Sequence, residues 1–578
     1  MHAKLIVIVG YLAAIAAIAV FARRRSRPGA EDFFLAGRTL GPIILLATMA
    51  ATNFSGFTVV GVSGAGYRLG FAFYPIIAFG TGFMALSFVI IGIPVRRAGL
   101  HFGLVTPAEL LGARFGNRPL TVLFAVVMTV FTLPYLAIQP MAAGYALEGL
   151  VGVPYQVGAV LTTALVLAYV LAGGLRSVVW TDVMQGGLMF VVLAVGFVVI
   201  ARASGGMSAS FGTLARQTPA LFSRPGDGGG LLLGIWVSYM LLWLLADPMF
   251  PQLFQRFYAA GSERSLLLTM IAYPVVTTVL FFFPVAIGVL GRLHVPGLAV
   301  SESDKILPLL VERFGGSWLA GLACAGLIAG IMSTMDSQLL TLGSIVERDV
   351  LGRSSDRRGS RPGQEVGAAP LPGGRARRLV LAALALAGLA LALKPPATIL
   401  AVATEAFAGL AVLMPAVVAT LYWRRASAGG VTASILVGEA MVVLGHFGLV
   451  PRFGLLPAIP AVVAASVAVL VAGLASPGSE HNVWARWREA VGPGLPVRKA
   501  IGWAIVFGVF GLLAVDWWRF GRAPRLTLGL PGWLWYFVVL GFLLSAAFLL
   551  FGRDVSGSAE SRPHCSRRSD GTQRDRRV

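Results

Sequence analysis

The stretch GIMSTMDSQLL, residues 330–340, follows the apolar run WLAGLACAGLIA without a turn signal, so one helix carries both. Ser333, Ser337, Thr341 and Ser344 recur at intervals of 4, 4 and 3, the spacing that lines up side chains on one face of an α-helix. Gly330 and Gly326 lie one and two turns earlier and keep that face thin. Two adjacent hydroxyls, Ser333 and Thr334, set beside free carbonyls of a second helix would make a nest of about five oxygens. That is the donor set a hard cation such as Na⁺ takes. The same small face also suits close helix packing.

A second cluster occupies PIILLATMAATNFSGFTVVGVSGAGY (42–67), whose middle holds Thr52, Asn53, Ser55, Gly56 and Thr58. Polar groups and glycines at membrane depth point to tight packing or to a broken helix. A break frees carbonyls for a cation, and Asn53 for a solute. Asp247–Pro248 predicts a further break, because proline removes a backbone donor. Asp182, Glu405 and Glu439 are carboxylates inside or at the ends of apolar runs, where an ionisable side chain serves function or caps a helix end.

The elements that must hold these groups follow from composition. The 578 residues are 57% hydrophobic and 12% charged, with a mean hydropathy of +0.82, whereas a soluble domain carries about 25% charged residues. Apolar runs long enough to cross a bilayer as helices recur along the chain, without the alternation of a β-barrel. The expected architecture is all-α and polytopic, with about 15 spans: 4–22, 42–66, 71–95, 119–148, 155–172, 178–202, 231–250, 266–291, 316–345, 379–394, 397–421, 431–449, 457–473, 501–517 and 532–552. The first is read as a retained helix, since it ends in RRRSR without a cleavage site. Residues 353–378 and the tail from 553 read as disordered.

Most of the 46 Lys and Arg fall on one set of loops when the N-terminus is outside, so the C-terminus is expected in the cytoplasm of a cell-membrane protein. The formal charge of +21 is thus a topology signal. The arginines are scattered over loops and form no nucleic-acid-binding face. No phosphate-binding loop, paired metal ligands or acid–base–nucleophile set appears, so an ATP-driven pump or an enzyme is not expected. Cys324 and Cys565 define no disulfide framework.

The segments EDFFLAGRTLGP, ATNFSGF, GGLRSVVWTDVMQ, QRFYAAGSE, IMSTMDSQLL and LYWRRASAGGVTASILVG occur in order, and together the chain from about 4 to 473 resembles the sodium:solute symporter family. KPPATILAVATEAFAGLAVLMPAVVATLYWRRA and FPQLFQRFYAA are closest to its pantothenate and monocarboxylate branch. The resemblance implies a leucine-transporter-like core at 31–425 with two inverted five-helix repeats (about 42–202 and 231–421). A helix and basic loop (1–30) precede it; additional helices (426–552) and a basic tail (553–578) follow. It implies a Na⁺ site from the backbone oxygens of Ala51, Phe54 and Gly330 and the hydroxyls of Ser333 and Thr334. Asp182 would help the ion toward the cytoplasm, and Asn53, Ser55, Trp243 and Asp247 would face the solute, expected to be a small organic anion. Sugar is disfavoured, because Trp243 and Asp247 do not match the polar set of sugar carriers. A proton-coupled carrier, with Asp182 or Glu405 as coupling group, is the alternative; a transporter-like sensor would need a signalling domain.

Overall fold

A computed structural model describes residues 2–24, 30–352, 374–451, 453–478, 480–522 and 524–560. The labelled helices are α1 (His2–Arg24), α2 (Pro42–Asn53), α3 (Val62–Leu69), α4 (Phe73–Met84), α5 (Gly92–Phe102), α6 (Arg118–Val151), α7 (Tyr155–Ala203), α8 (Leu233–Ala246), α9 (Pro251–Ala259), α10 (Glu263–His294), α11 (Ile306–Ile345), α12 (Ile399–Tyr422), α13 (Ala428–His446), α14 (Ala458–Ala475), α15 (His481–Val491), α16 (Val497–Val515) and α17 (Gly532–Glu560). A two-residue hairpin pairs Leu526 with Pro531 and Thr527 with Leu530.

Among the described residues, ten helices are long and apolar enough to cross a membrane, or eleven when the bent pair of α8 and α9 is taken as one span. This is fewer than the expected fifteen. The apolar stretches 2–18 and 155–171 belong to the longer helices α1 and α7, 42–53 is a short helix, and the expected spans 42–66 and 71–95 are cut into pieces that regroup as Phe57–Phe102. A hydropathy run records how greasy a segment is, not where its hydrogen-bond ladder stops. Within α7, Tyr169 Oη lies 2.7 Å from Thr181 Oγ1, twelve residues on. A straight helix would separate those residues by about 18 Å, so the chain turns back between the expected spans 155–172 and 178–202.

Two segments expected to be disordered are partly helical. Residues 374–378 open the helix Gly374–Ala392, and α17 runs on to Glu560; residues 353–373 and 561–578 lie outside the described ones. Apolar side chains on the outer helices, such as Val467, Leu474, Ile505 and Leu512, are exposed, as suits surfaces that meet lipid instead of water.

The centre is α11, in which every residue from 323 to 345 is buried. It packs against α7, α6 and α1. A kink at Gly316 (φ 62°) marks where the expected ninth span begins. Close approach depends on Gly330: a β-carbon there would stand 2.8 Å from Met189 Sδ of α7 and 3.5 Å from the Phe54 carbonyl oxygen.

Candidate functional site

The first break lies between α2 and α3. The α-helix ends at Asn53, Phe54 closes it by donating to the Ala50 carbonyl (2.8 Å), and the chain re-enters through a π turn at Phe57–Gly61. Both edges of the break are tied down. The Gly56 amide donates to Gln139 Oε1 of α6 (3.1 Å), the Phe57 amide to Ser55 Oγ (3.1 Å) and the Ser55 amide to Thr58 Oγ1 (3.3 Å). Buried backbone donors need partners, and here three side chains supply them. Ser55, expected to contact solute, is one of these caps and does not line the cavity described below.

The carbonyls released on the α2 side face α11. Ser333 Oγ lies 2.8 Å from the Ala51 carbonyl oxygen and 3.2 Å from that of Gly330, and Thr334 Oγ1 donates to the Thr52 carbonyl (3.0 Å). With the Phe54 carbonyl against Gly330, the five oxygens expected to form the Na⁺ site come from two adjacent strips of backbone. The carbonyl that Thr334 meets, that of Thr52, lies outside the expected set. The remaining hydroxyls run down the same face. Ser337 Oγ accepts from Arg256 Nη2 (2.9 Å), Thr341 Oγ1 donates to Gln255 Oε1 (2.7 Å), and Ser344 Oγ lies 3.4 Å from Gln255 Nε2. The 4, 4, 3 row therefore fastens α11 to α2 at one end and to α9 at the other.

One turn along α2 is a buried ion pair. Asp182 Oδ2 of α7 accepts from Arg256 Nη2 (2.9 Å), Thr48 Oγ1 (2.5 Å) and Thr52 Oγ1 (3.3 Å), while Arg256 Nε also donates to Thr48 (3.0 Å). All four residues are buried, so Asp182 is no solvated helix start. Gln255, Arg256 and Tyr258 are wholly buried on α9, which bends 52° away from α8 across Asp247–Phe250. Next to this pair Asp336 of α11 is also fully buried, and neither of its carboxylate oxygens has a hydrogen-bond partner.

Beyond the break lies a narrow cavity of about 10 Å³, lined by Asn53, Thr58 and Thr81, by the rings of Phe57, Tyr135, Trp243, Phe250, Phe281 and Phe407, and by Asp247. Asn53 Nδ2 donates to Tyr273 Oη (2.9 Å) and stands 3.3 Å from Asp247 Oδ2. Trp243 packs at 5.7 Å from both Phe57 and Phe407. Asn53, Trp243 and Asp247 are thus brought together. No Lys, Arg or His is among the lining residues of the cavity.

Sequence reasoning missed Gln139, Thr48 and Tyr273, and under-read Arg256. The amphipathic spacing of α9 was the available signal for the last. Glu405 fares worse: it sits 3.4 Å from His446 with both side chains more than half exposed, away from the core.

The chain is similar in sequence and in fold to known transporters. The chain is 27% identical over 474 residues to the sodium/pantothenate symporter of Escherichia coli, covering 80% of this chain and 95% of that protein. It is 28% identical over 453 residues to the osmoregulated proline transporter OpuE of Bacillus subtilis, covering 77% and 89%. Its fold is like that of a Na⁺-coupled sialic acid symporter solved in a substrate-bound outward-open state (TM-score 0.67, 21% identity, 83% of this chain and 99% of that one). It is also like that of Mhp1, a nucleobase-cation-symport-1 family transporter solved closed with bromovinylhydantoin (TM-score 0.51, 13% identity, 80% and 99%). The model of the sodium:solute symporter family matches residues 33–438; the chain belongs to that family, a family of transporters and not of enzymes.

Proposed function

We propose that this chain is a secondary active transporter that couples inward Na⁺ movement to uptake of a small solute by alternating access. The observation that carries the reading is Ser333 Oγ standing between the Ala51 and Gly330 carbonyls at a helix break. Turning the Ser333 and Thr334 hydroxyls away from their carbonyls would offer Ala51, Phe54, Gly330, Ser333 and Thr334 as five neutral oxygens, enough for a hard monovalent ion. Below it the Asp182–Arg256 pair supplies the exit step: the ion can approach Asp182 only as the guanidinium withdraws, so departure is tied to movement of α9. Two inverted repeats, at about 42–202 and 231–421, set the broken spans against each other. The asymmetry of basic loops supports a cell-membrane protein with its N-terminus outside and C-terminus in the cytoplasm.

For the solute, the cavity favours a small molecule with a protonated amine over the organic anion expected from sequence. Asp247 offers a buried carboxylate, and the surrounding rings attract cations through their faces. Proline, the solute in several relatives' names, carries such an amine. Pantothenate, in the names of others, is an anion that Asp247 would repel unless protonated. Reconstituted vesicles with an inward Na⁺ gradient test both points. Amine-bearing solutes should be taken up, and Asp247→Asn should abolish their uptake. Uptake of carboxylates without amines, or of neutral sugars, in preference to amines would overturn the solute assignment while leaving Na⁺ coupling standing.

Proton coupling is the second reading, and Asp336 favours it. A buried carboxylate without partners is costly unless neutralised, and a proton would neutralise it. Uptake that follows a pH gradient without Na⁺, and that Asp336→Asn removes, would establish this reading in place of the first.

A further inference from the structure

Away from the solute cavity, a groove of about 640 Å³ separates the α5 side of the core from α15, α16 and the end of α17. One end is apolar, with Leu86, Val89 and Phe507. The other is closed by Arg97, Arg488 and the Gly492–Gly494 turn. From Leu86 to Arg97 a helical path rises about 16 Å, close to half of the roughly 30 Å hydrocarbon core. That length matches one leaflet, and the cations of the groove lie at one end of it.

The charges at that end do not balance. Arg97 is held by Glu263 through two contacts of 2.7 Å, and Lys499 by Asp554 at 2.7 Å. Arg488 has no ion pair among the described residues; its guanidinium stands 5.9 Å from the Trp484 ring. The turn that closes the site needs Gly492 (φ +78°), where a β-carbon would stand 2.2 Å from Arg97 Nη1. The helix α15 is seated on α5 by stacking of Trp487 on Phe102 at 5.9 Å, which fixes Arg488 over the opening.

We infer that this groove binds one anionic phospholipid, its phosphate at Arg488 and an acyl chain along Leu86, Ile90, Ala504 and Phe507. Bulk lipid covers any apolar face, but a leaflet-deep slot ending in one unpaired guanidinium selects a headgroup of net negative charge. A basic side chain near an anionic membrane surface accounts for about a fivefold difference in affinity.

The test is native mass spectrometry of the full chain in detergent, titrated with phosphatidylglycerol or with phosphatidylcholine of the same acyl chains. The wild type should hold one phosphatidylglycerol at least fivefold more tightly than phosphatidylcholine. Arg488→Gln should erase that preference, Arg488→Lys should keep it, and Ala504→Trp should block retention of both lipids by filling the slot. Equal binding of the two lipids, an Arg488→Gln protein that still prefers phosphatidylglycerol, or inorganic phosphate competing as well as the lipid would overturn the proposal.

Discussion

The two broken spans solve the same problem by opposite means. The break between α2 and α3 contains no proline. It is held open by borrowed side chains: Gln139 from α6, and Ser55 and Thr58 from its own flank. The break between α8 and α9 is made by Pro248 and Pro251, which remove donors from the chain so that fewer caps are required. The first presents neutral oxygens to α11; the second presents a carboxylate at Asp247 and a guanidinium at Arg256. One break thus offers neutral oxygens, and the other offers charged side chains. A capped break depends on its neighbours, while a proline break carries its instruction locally.

That contrast can be broken at its most expensive point. Removing Arg256 strands Asp182 as a buried, uncompensated charge, and Arg256→Ala should cost about 3–5 kcal/mol of stability. Arg256→Met combined with Asp182→Leu should recover most of the loss, since an apolar pair of similar volume needs no compensation. Denaturation of the purified proteins in one detergent compares them; a double variant as unstable as the single one would show that the pair holds the fold through more than charge.

On the ion side, Ser333→Ala with Thr334→Ala removes two of about five oxygens. Polar contacts to a charged group contribute about 1.5–3 kcal/mol each, so half-saturating Na⁺ should rise at least tenfold. Apparent solute affinity should fall and be partly restored by high Na⁺, because the two bindings are reciprocally linked. Alanine preserves close packing, so uptake curves that superimpose on the wild type at matched membrane levels would reduce the two hydroxyls to packing residues.

The difference in capping sharpens next. Gln139→Ala leaves the buried Gly56 amide without its acceptor and should cost about 1–2 kcal/mol. Pro248→Ala in the other break removes no existing hydrogen bond and restores one backbone N–H, so it should cost less, about 0.5–1 kcal/mol, mainly by loosening the unfolded chain. Equal losses in melting experiments would mean that the breaks are not held differently. At the bottom of the scale, Glu405→Gln removes only an exposed pair with His446 and should change stability by no more than about 0.5 kcal/mol, with uptake unaltered. A loss of transport there would return Glu405 to the coupling machinery.

What could be read from the sequence divides along the same line. The serine row of α11 and the Asp247–Pro248 break were legible because their information is local: a spacing, and a residue that cannot donate. The oxygen donors opposite Ser333 were reachable only through family resemblance. Gln139 and Arg256 were illegible in their roles because their partners lie 83 and 74 residues away, and no periodicity records which helix a side chain will meet. The span boundaries differ for a related reason: an apolar run does not show where a helix breaks, so the expected 42–66 and 71–95 regroup as 42–53 and Phe57–Phe102. The helical residues 553–560 and 374–378 were misread because arginines, glycines and serines at a membrane edge have the composition of a linker even where they continue a helix.

The hydroxyl row of α11 has one more property. Ser333, Ser337, Thr341 and Ser344 offer much the same chemistry at nearly every turn, so a helix slid by one turn, about 5.4 Å, would again set hydroxyls against most of the groups it now touches. A pattern that repeats cannot define its own register. The alignment of α11 must come from residues outside the row, among them Gly326 and Gly330, whose missing side chains admit Val192 and, at Gly330, Met189 and the Phe54 carbonyl. The hydroxyls supply the adhesion of this helix, and residues outside their row supply the address.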